Sequence, residues 1–225
     1  MRRLTKLYAS TVGKKVLMAA SGAILVLFVL AHMAGNLKAF QGAEAFNAYA
    51  EGIREVGYPF LPHRGALWIM RIALLGAVAV HIWAALVLWA KSRSARGVGY
   101  RKEESLVFSY ASRTMRWGGV IILAFVVYHL LHFTTGTVHS DFIPGDAYHN
   151  LVVGFQSPLI AGAYIVAMTA LAFHLYHGVW SVFQTLGGNH PKYNRFRRPL
   201  AGVLTGLIYV GFVIVPLAVL TGWIS

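Results

Sequence analysis

Long uncharged apolar stretches alternate with short polar connections along this chain. Stretches free of Asp, Glu, Lys and Arg run over 16–37, 72–90, 117–140, 147–191 and 199–225. A hydrocarbon core about 30 Å thick takes about 20 helical residues to cross at about 1.5 Å each. Four of the stretches have the length of one span. The fourth in order, 147–191, is long enough for a re-entrant or surface loop followed by a helix over 158–184. The pattern predicts an all-α integral membrane bundle of five transmembrane helices, forming a single transmembrane domain over 1–225.

Composition agrees with that reading. Hydrophobic residues make up 57% and charged residues 12%, which excludes an ordinary soluble domain. There is no cysteine, so neither disulfides nor thiolate-held iron-sulfur clusters are available to the chain. The first stretch has a basic start but is long for a signal core. It ends in His32-Met33-Ala34-Gly35-Asn36 without an Ala-x-Ala cleavage site, so it reads as a mature helix.

A net charge of +13 would suggest a nucleic-acid partner on a soluble face, but its distribution argues otherwise. Segments 1–15, 91–116 and 185–198 hold 16 of the 20 Lys and Arg, whereas 38–71 and 138–157 hold the other four together with five acidic residues. The positive-inside rule then predicts a cytoplasmic N-terminus and an outer C-terminus, with lipid headgroups or an acidic partner on the basic face.

Within the apolar stretches stand His32, His81, His129, His132, His174 and His177. An imidazole in hydrocarbon is costly unless it pairs or binds something, and several helices each supplying one suggest haem held in the bilayer. Measured from the basic boundary, His32 lies about 26 Å and His129 about 21 Å deep, His81 about 14 Å and His174 about 15 Å. An outer pair, His32 with His129, and an inner pair, His81 with His174, would make two bis-histidine haem sites. Spacing leaves His129 against His132, and His174 against His177, open, because residues three apart share a helix face. The bland reading for any one of them is an interhelical hydrogen bond.

Small residues (Ala19, Ala20, Ser21, Gly22, Ala23, Gly76, Ala77, Ala79, Gly118, Gly119) would let backbones or a flat macrocycle approach closely. Arg71, near an outer helix end, either snorkels or pairs with a haem propionate. On the basic side Ser112, Arg113 and Arg116 are candidates for a propionate or a quinone pocket. His139, Asp141, Asp146 and His149 could exchange protons at the outer end, although a solvated loop explains them equally.

Several stretches carry a family resemblance: Leu30-Ala31-His32-Met33-Ala34-Gly35-Asn36-Leu37, Gly42-Ala43-Glu44-Ala45-Phe46-Asn47, Val80-His81, Val127-Tyr128-His129 and the run Phe173-His174-Leu175-Tyr176-His177-Gly178-Val179-Trp180-Ser181 continuing to Gly187. The chain resembles the single-chain, five-helix, dihaem cytochrome b anchor of succinate:quinone oxidoreductases, the b558 type. In that family the fourth-helix ligand stands four residues before the glycine of Gly-x-Trp-Ser, which implies His174 over His177. The third-helix ligand matches His129, and the first two match His32 and His81.

The resemblance implies two b haems, a bacterial cytoplasmic-membrane location, and partner flavoprotein and iron-sulfur subunits on the cytoplasmic face. It implies electron transfer to quinone, with no acid-base residue offered to the dicarboxylate. Some two-haem fumarate reductases carry a glutamate two residues before the fourth-helix ligand; Ala172 stands there here, so that proton path is not expected. Succinate oxidation by menaquinone is then the direction favoured, since crossing 100 mV is worth about 2.3 kcal/mol per charge. Two rival readings are an anchor for another respiratory dehydrogenase, such as hydrogenase or formate dehydrogenase, and a haem-free transporter or assembly scaffold.

Overall fold

The computed structural model describes residues 10–95, 107–188 and 190–225, with the side chains of 107–114, 191 and 193 left out. Among the described residues the chain is all-helical. Its α-helices are α1 (Thr11–Asn36), α2 (Ala43–Glu55), α3 (Gly65–Ser94), α4 (Val107–His129), α5 (Ala147–Gln156), α6 (Pro158–Thr185) and α7 (Pro191–Leu220). A short 3-10 turn, Leu37–Gln41, extends α1, and a single π-type turn, Leu130–Thr134, extends α4. Five helices, α1, α3, α4, α6 and α7, are long and apolar enough to cross a membrane.

Local chemistry sets the helix ends. Ser10 caps α1 by accepting from the Gly13 N–H at 3.0 Å, and Pro158 and Pro191 open α6 and α7 where a missing N–H costs nothing. Gly42, at φ 89°, makes the left-handed turn between the 3-10 extension of α1 and α2. Within α7, Pro199 and Pro216 each remove one backbone donor, a loss membrane helices tolerate when neighbours re-satisfy the freed carbonyls.

In the third apolar stretch, which runs to 140, the helix ends at Thr134. The Thr135 N–H reaches the Leu130 carbonyl at 3.0 Å, a five-residue spacing, and the chain then turns at Gly136. The stretch from 147 divides as expected: α5 is about 15 Å long by helical rise, too short to span, and Ser157-Pro158 separates it from α6. The last helix begins at Pro191, so Pro199 lies inside it.

α1 packs on α3 and α6, α4 on α6, and α7 on α6 and α1. Large apolar side chains such as Leu27, Leu75, Trp117 and Val203 are exposed on the outer faces, as lipid-facing positions require. One end, where Lys14, Lys91, Arg93 and Arg116 lie, is basic. The other is capped by α2 and α5, whose Phe46, Leu151, Val152 and Phe155 close over Ala161, Tyr164, Val215 and Ala218.

Candidate haem-holding site

At the capped end Asp146 begins α5, accepting from the His149 N–H at 3.0 Å and from the Asn47 side-chain amide at 2.9 Å, while Asn47 Oδ1 accepts from the Tyr148 N–H. The His149 N–H, the Asn47 amide and the nearby His149 ring hold its carboxyl below the usual carboxylate range. Buried Asn150 clamps the preceding loop through both amide atoms, each 2.8 Å from the backbone of Ile143. His139 Nε2 lies 2.8 Å from the Asn150 carbonyl oxygen, and His149 Nε2 lies 3.1 Å from Asp141 Oδ2. The polar groups singled out at this end therefore tie the cap together.

Beneath the cap, α1 and α4 bring His32 and His129 edge to face, with ring centroids 5.8 Å apart. Phe28, Phe125, Phe133 and Phe212 surround this pair. Nearer the basic end, α3 and α6 bring His81 and His174 together at 6.1 Å. A Cβ added to Gly22 of α1 would lie 3.3 Å from His81 Cε1, and one added to Gly119 of α4 would lie 4.0 Å from His174 Cε1. Four helices thus meet at this second pair, two supplying imidazoles and two supplying glycines. An apolar groove of about 270 Å³ between α1 and α3 runs past Ser21, beside His81.

The register of three helices measures the distance between the pairs. Gly22 to His32 on α1, Gly119 to His129 on α4, and His174 to Tyr164, which touches His129, on α6 are each ten residues, or about 15 Å of helical rise. The two pairs are therefore stacked along the bundle. The depths read from sequence put His129 about 5 Å below His32; side by side in the structure, the two rings show that a common flat boundary for separate helices misplaces them.

The residues fit a metal held between each pair. Each pair offers two imidazoles from two different helices, with centroids 5.8 and 6.1 Å apart, a donor set suited to a metal bound between them. Among the described residues the helices carrying each pair, α1 with α4 and α3 with α6, are not among the closely packed helix pairs. All four rings are only half-buried. Nδ1 of His174 is buried with no hydrogen-bond partner among the described residues. His81 Nδ1 lies 3.2 Å from the Met18 carbonyl, which fixes the tautomer that leaves Nε2 free to coordinate.

His132 and His177 go elsewhere. His132, 1% exposed, sits against Tyr128, Phe133, His139 and Tyr164, with Nδ1 3.0 Å from the Tyr164 hydroxyl. His177 is half-buried beside Tyr176. Arg71 is exposed, its guanidinium 5.0 Å from the Trp68 ring centroid, and Arg116 is exposed 5.9 Å from that of Trp89. The side chains of Ser112 and Arg113 lie outside the described residues. Tyr164 was missed in the sequence, where a tyrosine seven residues into a helix reads as an interface anchor.

The chain is 27% identical over 161 residues to the succinate dehydrogenase cytochrome b558 subunit of Bacillus subtilis (strain 168), covering 72% of each chain. No family model matches the chain. No solved structure matches it. The similarity and the five apolar helices together fit a cytochrome-b-type membrane anchor.

Proposed function

We propose that the chain is the membrane anchor of a succinate:quinone oxidoreductase, passing electrons between an iron-sulfur subunit and quinone. The observation that carries this reading is the stack of two interhelical histidine pairs, His32 with His129 and His81 with His174, about 15 Å apart in helical rise. Likeness to a cytochrome b558 subunit supports it.

In this reading the four imidazoles hold two b haems. Bound there, haem b supplies one-electron redox chemistry, at a potential tuned by axial ligands, burial and hydrogen bonds. The chain's own residues do the rest. The histidines tie α1 to α4 and α3 to α6, Gly22 and Gly119 keep the approach to His81 and His174 open, and the Met18 carbonyl orients His81. The basic end faces the cytoplasm and receives the iron-sulfur and flavoprotein subunits, with the cap outside. Menaquinone is the acceptor, and the dicarboxylate is handled by the flavoprotein.

Haem b content per polypeptide in the detergent-purified complex tests the reading. Two per chain supports it, one leaves only one pair as a site, and none overturns it.

A further inference from the structure

The hydroxyl of Tyr164 stands between His129, the last residue of α4, and His132 in the π-type turn that follows. It lies 3.4 Å from Nδ1 of His129 and 3.0 Å from Nδ1 of His132. Both partners are on one short piece of chain, where the helix relaxes into its π-type turn just after His129, a feature frequent at functional sites. Tyr164 and His132 are 6% and 1% exposed, and Phe125, Phe133 and Phe155 pack around the tyrosine ring. Water is thus kept from the hydroxyl, and a hydrogen bond in such surroundings is stronger than in water.

From this geometry we infer that Tyr164 is a positioning residue for His129, and that His132 orients Tyr164. The inference rests on the dihaem reading and deepens it.

Hydrogen-bond directions follow from the chemistry of a neutral imidazole. If His129 coordinates through Nε2, its Nδ1 carries the proton and donates to the Tyr164 oxygen. A hydroxyl has one proton to give, and the acceptor within reach is Nδ1 of His132, which therefore carries its own proton on Nε2. The relay runs from His129 through Tyr164 to His132. Because Tyr164 donates onward, its oxygen is a better acceptor, and the His129 imidazole becomes a stronger electron donor to whatever it coordinates. His81 has a different support, the backbone carbonyl of Met18. The two sites are thereby made unequal by their outer partners, although all four ligands are histidines.

The test is a redox titration and low-spin ferric EPR of the purified complex carrying Tyr164→Phe, which keeps the aromatic packing and removes the hydroxyl. Two haems per chain should be retained, with one midpoint raised by about the equivalent of a tenfold change in oxidised-to-reduced ratio, 59 mV for a one-electron couple, and one EPR signal shifted. Unchanged midpoints and spectra in a variant holding two haems would overturn the inference and leave the dihaem reading intact. A wild-type complex without haem between α1 and α4 would sink both. Should Tyr164→Phe lose a haem, His132 variants decide. His132→Asn, which keeps an acceptor, should hold the wild-type midpoint, and His132→Leu should raise it. Equal midpoints in those two variants would also overturn the relay.

Discussion

Gly22 faces the imidazole of His81 so closely that a Cβ at that position would stand 3.3 Å from the ring's Cε1. A single added carbon needs a shift of a few tenths of an ångström, whereas a branched side chain has no room without displacing the ring. Gly22→Leu is expected to reduce the haem content from two per chain to one, removing the same spectral component as His81→Ala. Gly76, with open space around its Cβ position, provides the control, and Gly76→Ala should keep both. Pyridine haemochrome assay and redox titration of the two variants measure the difference.

The neighbouring histidines three residues apart should behave oppositely. His174→Gln removes a ring that meets His81, and one haem should be lost. His177→Gln changes a ring beside Tyr176, and both haems should remain. Equal loss in both variants would show that the pairing of α3 with α6 is misassigned.

Asp146 links the two cap helices, so its removal should loosen the capped end. Asp146→Ala is expected to cost about 1 kcal/mol, the usual value of a helix N-cap, seen as a lower melting temperature in detergent. The folded-state pKa is depressed, so the carboxylate's contribution is fully present above its unfolded value of about 4 and is lost as pH falls through the lower folded value. The wild type should therefore lose stability relative to Asp146→Ala below about pH 4. Asp141→Ala, at an exposed contact to His149, should move the melting temperature far less.

Haem withdrawal should destabilise the bundle selectively. Each pair joins helices that are not closely packed on one another, so a group bound between them acts as a cross-link present only in the folded state. Chain made in cells unable to synthesise haem should melt at lower temperature than the loaded form. The packed cap of Phe46, Leu151 and Phe155 should resist limited proteolysis in both forms.

Which histidines come together was readable from the sequence, and the reason is the membrane. Hydrocarbon penalises unpaired imidazoles, so the positions of His32, His81, His129 and His174 carried information that soluble histidines would not. Gly22 and Gly119 were visible as small residues, but their facing His81 and His174 was not, because spacing along one helix does not say which neighbour it meets. His129 and His132 could not be separated by periodicity. What divides them is tertiary: one ring meets α1, the other is claimed by the hydroxyl of Tyr164 on α6. The cap was opaque for a related reason. Asn47 and Asp146 are 99 residues apart and ordinary in composition, and their hydrogen bond exists only once α2 and α5 are side by side.

The ten-residue interval shared by α1, α4 and α6 fixes direction as well as height. At about 100° per residue, ten residues turn a helix through nearly three revolutions and leave it about 80° short of its starting azimuth. α1 accordingly looks toward α3 from Gly22 and toward α4 from His32. Each of the three helices can serve two different partners at two levels without bending. The interval is thus a phase relation, and one residue inserted between Gly22 and His32 would swing the imidazole by about 100° while changing its height by only about 1.5 Å. A homologue with altered spacing on one of these helices would have to alter its partner assignment as well.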